Sequence, residues 1–400
     1  MIERYSIPVI TEIWSLHNQY RLWFNLEWAY YCVIRPEHIF DIPFTNIFFW
    51  ERHTKEILEL EKETKHDLVA FLQFLNNRED LTKDFKQWMH YNLTSSDIKD
   101  TVFIKQIQDS WKVFAGSIQN LNDAIDKKII EPFKDLESIG RTHGQHAEPI
   151  KFISRFLLIQ QMLHDAKTTK FKFYYGKLKG PVGNGIDPIV EFKTLQKFGH
   201  MLPIKQASQI IPRDKIAHLV FQLGLAGTII EKLAMDLRLL AQTEIGEVQE
   251  GFDEGQYGSS AMPHKKNPIA LENVCGIARV LRSYIELTLQ NIVTWHERDM
   301  SHSAVERIIL PDAFHCAIFA TRRMTKIINN LQINLDNINK NLTMVDHDSQ
   351  QRMNEYIAKG GSRFNSYNKS KFEQHLEHAS EIVKDWPEWK RNILGKNKDR

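Results

Sequence analysis

Four short polar stretches hold the residues whose types and spacing could do chemistry. The first, "YGSSAMPHKKNP" (257–268), gathers Ser259, Ser260, Met262, Lys265 and Asn267 between glycines and prolines. "HYNLTSSDIKDT" (90–101) sets His90, Thr94, Ser95, Ser96 and Asp97 just ahead of a helical pattern. Such residues suit an N-cap, which satisfies free backbone N–H groups, and equally an anion seat at a helix N-terminus. "GRTHGQHAEP" (140–149) packs Arg141, His143, Gln145, His146 and Glu148 together. A histidine there is a natural general acid near neutral pH. A structural turn and a metal pair are the competing readings; the glycine between His143 and His146, with no cysteine nearby, argues against the metal. "WHERDMSHSAVER" (295–307) concentrates Arg298, Ser303 and Arg307. Arginine's planar fork suits phosphate, although a solvated face of internal ion pairs has the same composition. A base, an acid, cations and a phosphate clamp are together what an elimination on a phosphorylated, carboxylated substrate requires.

Each stretch lies at an expected end of a long helix, so long helices must position them. Ile216, Leu219, Val220, Leu223, Ala226, Ile230, Leu233, Leu237 and Leu240 recur at steps of three and four, which predicts a helix from Ile216 to about Val248. Gly224 and Gly227 within it would let a neighbouring helix come close. Further helices are expected from about Asp97 to Ile130, from Pro268 to about Val293, and from Asp312, after Pro311, to about Leu331. Helices this long need partners for their apolar faces, so a bundle follows. Strand signals are scarce, and the fold class expected is all-α. Residues 1–93, with Trp14, Trp23, Trp28 and Trp50, form a smaller N-terminal helical domain; 94–342 form the central bundle; 343–400 form a short, polar C-terminal helical domain.

With 400 residues the chain exceeds one compact core, and a net charge of +2 leaves any anionic ligand to local basic groups. Neither a nucleic-acid nor a membrane partner is called for: the longest uncharged run, Ile216 to Ile230, is shorter than a span needs. Three scattered cysteines (Cys32, Cys275, Cys316) match no zinc spacing and read as buried thiols of a cytoplasmic protein.

"GSSAMPHKKNP" resembles the signature loop of the fumarase/aspartase superfamily, with a lysine at position 266 where arginine is usual. "TSSDIKDT", "GRTHGQHAEP", "WHERDMSHSAVERIILPDA", "MIERYS" and "EKETKHDLVAF" (61–71) are similar, more narrowly, to the adenylosuccinate lyase family. The resemblance covers roughly residues 1–30 and 55–350. It implies a three-domain, nearly all-helical subunit whose central helices tetramerise, with each active site assembled from three copies. It also implies a C–N lyase that releases fumarate from adenylosuccinate to leave AMP, and cleaves SAICAR to AICAR in the same way, with no metal or organic cofactor.

By resemblance, Ser259 matches the family's base and Lys265 with Asn267 the stabilisers of an aci-carboxylate. His143 matches the general acid, and Glu272 of "IALEN" the partner that orients it. Lys65, His66, Asp67, His90, Thr94, Ser95, Gln209, Ser260, Met262 and Asn273 match substrate-contacting positions. Arg4, Tyr5, Arg298, Ser303 and Arg307 match the set around the phosphate. A related lyase with another succinyl-like substrate, or a bundle that has lost its chemistry, are the other readings. The chain departs from the pattern at "GPVGNGIDP" (180–188), at Pro212, between residues 31 and 54, and in its short C-terminal region.

Overall fold

The computed structural model describes residues 1–38, 51–168, 174–252, 255, 262, 265–344, 349–361 and 386. Helices are α1 Pro8–Ile13, α2 Leu16–Ile34, α3 Glu51–Thr64, α4 Asp67–Asn77, α5 Lys83–Trp88, α6 Ser95–Ile125, the short α7 Glu131–Phe133, α8 Ser154–Thr168, α9 Pro188–Gly199, α10 Asp214–Leu240, α11 Ile269–Gln290, α12 Ser301–Asn330, α13 Leu335–Thr343 and α14 Ser349–Ala358. Among the described residues six short strands make three two-stranded sheets: β1 Glu137–Thr142 with β2 Gln145–Lys151, β3 Tyr175–Gly176 with β4 Leu202–Pro203, and β5 Val248–Gln249 with β6 Gln332–Ile333. The fold is all-α in class. Two compact units are distinguished: Met1–Leu136 with Lys151–Asn337, and Glu137–Ile150 with Ile338–Arg400.

In the first unit, α6, α10, α11 and α12 pack along one another. Leu219, Val220, Leu223, Ile230, Leu233 and Leu237 of α10 are all buried, as their spacing requires. The two helical glycines earn their place here. A Cβ on Gly224 would stand 2.7 Å from Ile285 Cδ1 and one on Gly227 2.8 Å from Leu281 Cδ2, so α11 closes on α10 where side chains are missing. By length and composition α10 could cross a membrane, but 67% of its apolar window is buried inside the chain, as in a core helix. Ahead of the bundle, Tyr20, Trp23, Phe24, Trp28 and Tyr31 of α2 pack on Phe71, Phe74 and Phe85, and this aromatic cluster continues into Ile98 and Val102 of α6. Trp50 lies outside the described residues.

Three expectations change. α10 stops at Leu240 rather than near Val248: the chain turns after Ala241, Gly246 takes a left-handed backbone (φ +57°), and the Glu247 N–H comes back to the Leu240 carbonyl at 3.0 Å. α12 begins at Ser301, so Pro311 lies inside it rather than at its start. Proline offers no N–H to the Arg307 carbonyl. The helix continues through it because Ile309, Leu310, Ala313 and Phe314 are all locked in the core. "GRTHGQHAEP" sits on a β-hairpin, not at a helix end. α6 and α11 run close to their expected bounds, α6 passing into a π-helical turn, Asp126–Ile130, before Pro132.

Candidate active site

A cavity of about 450 Å³ lies where the start of α6 meets the start of α12. Ser96, Lys99, Asp100 and Phe103 line it at steps of three, one and three along α6, the spacing that puts side chains on one helix face. Arg298, His302, Ser303, Glu306 and Arg307 line it from the other side, and Asp67 from the start of α4. Asp67 holds Lys99 at 2.5 Å and Arg307 at 3.3 Å. Burial alone would raise the Asp67 carboxyl, but Lys99 and Arg307 hold it below the usual carboxylate range. Burial in turn pushes the Lys99 ammonium down, and Arg307 and Arg298 add to that against the pull of Asp67. Arg298 Nη1 donates to Ser96 Oγ at 2.7 Å and to Gln209 Oε1 at 2.9 Å, while Gln209 Nε2 donates to the Pro181 carbonyl at 2.9 Å. Gln209 thereby ties the phosphate-clamp candidate to the unusual 180–188 loop.

Beneath this cavity lies a buried clasp. Arg213 donates to both Asp100 oxygens (2.7 and 3.1 Å) and to both Glu306 oxygens (2.9 and 3.2 Å). Burial and the Asp100 charge push Glu306 up to about 7 against the pull of Arg213; burial would raise Asp100 too, but Arg213 and the Ile211 N–H hold it low. His302, buried beside Arg213 and Arg298, is pushed down to about 4 and stays neutral. Asp97, also buried, accepts the N–H groups of Thr94 (2.9 Å), Lys179 (2.8 Å) and Gly180 (3.1 Å) and pairs with Lys177. That bond pattern fixes Thr94 and Ser95 at the helix start. His90 is held by Glu27, which accepts its backbone N–H at 2.8 Å and meets its Nδ1 at 2.7 Å. His66 caps α4, its Nδ1 accepting the Val69 N–H at 3.4 Å, and exposed Lys65 precedes it at φ +53°.

Lys265, Asn267 and Glu272 line a different space, an open hollow of about 1380 Å³ shared with Arg238, Glu250 and Asn337. Arg238 Nη2 stands 3.9 Å from Glu272. Tyr5, in a 3₁₀ turn Glu3–Tyr5 that also carries exposed Arg4, packs edge-on against Phe319 and accepts from Asn273 Nδ2 at 3.4 Å. Met262 is exposed, its carbonyl accepting the Lys265 N–H at 3.0 Å. Ser259 and Ser260 lie outside the described residues.

These two groups of residues stand at opposite ends of an antiparallel helix pair. Asn291, just after α11, donates to the His302 carbonyl at the start of α12, whereas Ala270 at the start of α11 shares a small cavity with Ile327 and Asn330 at the end of α12. A helix of 22 residues is about 33 Å long, so Lys265 and Arg298 of one chain cannot reach one small substrate. His143 belongs to the second unit. It is exposed in the turn of the β1–β2 hairpin, where His143 and Gly144 both take positive φ (54° and 76°), the geometry of a two-residue I′ turn. Among the described residues no group of three His, Cys, Asp or Glu side chains could hold a metal ion.

Lys99, Asp100 and Glu306 escaped the sequence reading as site residues. Their signal was available: charged positions recurring on one face of α6 and of α12, beside Ser96 and Ser303.

A lyase family model matches residues 50–282 of the chain. The adenylosuccinate lyase of Bacillus subtilis (strain 168) is 38% identical over 355 residues, covering 86% of this chain and 80% of that protein. The adenylosuccinate lyase of Thermotoga maritima is 34% identical over 380 residues, covering 92% and 86%. Among solved structures, a β-carboxy-cis,cis-muconate cycloisomerase from Acinetobacter calcoaceticus superposes with a TM-score of 0.74 at 20% identity, covering 98% of this chain and 93% of that one. A fumarate lyase from Mesorhizobium sp. BNC1 gives 0.70 at 20%, covering 90% and 83%. The structural likenesses speak for the fold, and the sequence relatives decide the branch: the chain belongs to the adenylosuccinate lyase family of the fumarase/aspartase superfamily.

Proposed function

We propose that this chain eliminates fumarate from adenylosuccinate to leave AMP, and by the same chemistry cleaves SAICAR to AICAR, serving purine synthesis in the cytoplasm. The observation that carries the phosphorylated substrate is the grouping of Arg298, Ser303 and Arg307 around one cavity, with Lys99 adding a cation. Arginine's planar fork suits phosphate, and a succinyl-like substrate without one would use less of this grouping.

In this reading Ser259, deprotonated by its surroundings, removes a proton from the carbon next to a carboxylate. The electron pair spreads onto that carboxylate, where Lys265 and Asn267 stabilise the added charge. The pair then returns to form the fumarate double bond as the C–N bond breaks, and His143 gives its proton to the departing nitrogen. Glu272 orients and charges His143. Arg298, Ser303 and Arg307 hold the phosphate from one copy, Arg4 and Tyr5 join them from the copy that brings Lys265, and Lys65, His66, Asp67, His90, Thr94, Ser95, Gln209, Ser260, Met262 and Asn273 contact the rest. Proton exchange with solvent resets Ser259 and His143.

The distance between the two ends of α11 supports a composite site in a homotetramer, in which one copy's Lys265 end meets another copy's Arg298 end. Purified protein mixed with adenylosuccinate should lower the substrate's absorbance and produce AMP in step. Folded protein that makes no AMP would overturn the proposal.

A further inference from the structure

The start of α11 has no cap of its own. Its first flanking residue is Pro268, which provides no side-chain acceptor, yet the opening N–H groups of a buried helix need partners. They find one twenty residues upstream. Buried Glu250 accepts the Ala270 N–H with both oxygens at 3.1 Å and the Leu271 N–H at 3.1 Å. Glu250 is itself fixed on both sides. Before it, β5 pairs with β6 through Val248–Ile333 and Gln249–Gln332. After it, Gly251 presses so closely on α12 that an added Cβ would stand 2.1 Å from the Asn330 carbonyl oxygen. A single carboxylate therefore joins the strand that enters the signature stretch to the helix that leaves it.

Lys265 and Asn267 immediately precede the capped turn. Their backbone continues its bonding: Ile269 N–H donates to the Asn267 carbonyl at 2.9 Å and Glu272 N–H to the Pro268 carbonyl at 3.0 Å. We propose that Glu250 is a positioning residue of the elimination site, setting where Lys265 and Asn267 meet the developing aci-carboxylate by capping α11 from a distance. This rests on the reading of Lys265 and Asn267 given above. A carboxylate cap at a helix start also carries the right charge for the helix dipole, which the isosteric amide lacks.

The test compares full-length wild type, Glu250→Gln, Glu250→Asp and Lys265→Ala, measuring kcat and KM for adenylosuccinate, AMP affinity and Tm. Glu250→Gln should lower kcat about tenfold to a hundredfold, the penalty of misplacing groups by around an ångström. Its KM and AMP affinity should stay within about twofold of wild type, because Arg298, Ser303 and Arg307 stand at the far end of α11 from the capped turn. Glu250→Asp, which keeps the charge on a shorter arm, should fall between the two. A Glu250→Gln protein with lowered Tm but wild-type kcat would reduce Glu250 to a stability cap and overturn the proposal. Parallel loss of kcat and AMP affinity would overturn it also, as general disruption. If wild type makes no AMP, or Lys265→Ala turns over normally, the parent reading fails first and takes this inference with it.

Discussion

At the Arg298 end of the α11–α12 pair, side chains from α4, α6, α12 and the 209–213 segment bond to one another across a cavity of about 450 Å³. At the Lys265 end Glu250 caps α11, Arg238 stands near Glu272 and Asn273 reaches Tyr5, and the space is an open hollow of about 1380 Å³. Binding a phosphate asks for cations already in place, which α6 and α12 supply within one chain. Stabilising an intermediate asks for groups that meet the substrate as charge moves, and here those groups stand beside a space that a single chain leaves open. Under the proposed function, that difference puts affinity at one end and rate at the other.

The largest effect should come from breaking the clasp under the phosphate end. Arg213→Ala strands the Asp100 carboxylate in the core, leaves Glu306 without its donor, and should cost about 3–5 kcal/mol of stability, read by denaturant unfolding. An unchanged midpoint would show that the clasp does not support this end. Next, Lys265→Ala should lower kcat by about a hundredfold or more while AMP still binds, since one lost donor at a developing oxyanion has that scale. Equal losses in kcat and AMP affinity would erase the division between the ends. Arg307→Ala should do the reverse, weakening AMP about tenfold to a hundredfold through the loss of charged hydrogen bonds. Unchanged AMP affinity on calorimetry would remove Arg307 from the clamp.

The smallest effect at neutral pH concerns His302, and it emerges on acidification. Burial, with Arg213 and Arg298 nearby and only partly offset by Asp100 and Asp299, holds His302 near 4 against 6.5 when free. The unfolded chain therefore takes up the proton first. The contribution to stability is complete above pH 6.5 and is lost as pH falls from 6.5 towards 4. His302→Gln should flatten that slope in pH-dependent unfolding; an unaltered slope would place the titration elsewhere.

Much of this was legible in the residues. The three-and-four spacing from Ile216 to Leu240 gave α10, and its two glycines gave the close approach of α11. The polar stretches marked where chemistry could lie, and the resemblance named the chemistry. Pro311 misled because a local rule about proline lost to the core packing of Ile309, Leu310, Ala313 and Phe314. The hairpin around His143 was hidden because two strands closed by a His–Gly turn have no helical period and little apolar alternation. The separation of Lys265 from Arg298 could not be read from spacing at all. It follows from the antiparallel return of α12 along α11, which only the packed fold displays.

That separation makes the composite site the claim most worth attacking. Lys265→Ala and Arg307→Ala proteins, each nearly inactive at low adenylosuccinate concentration, can be unfolded together and refolded as a mixture. If one copy's Lys265 end serves another copy's Arg298 end, some mixed assemblies contain a site with both residues intact, and AMP production should return well above that of either variant refolded alone. A mixture no more active than its parents, although folded and of mixed composition, would mean that each chain completes its own site and would contradict the account.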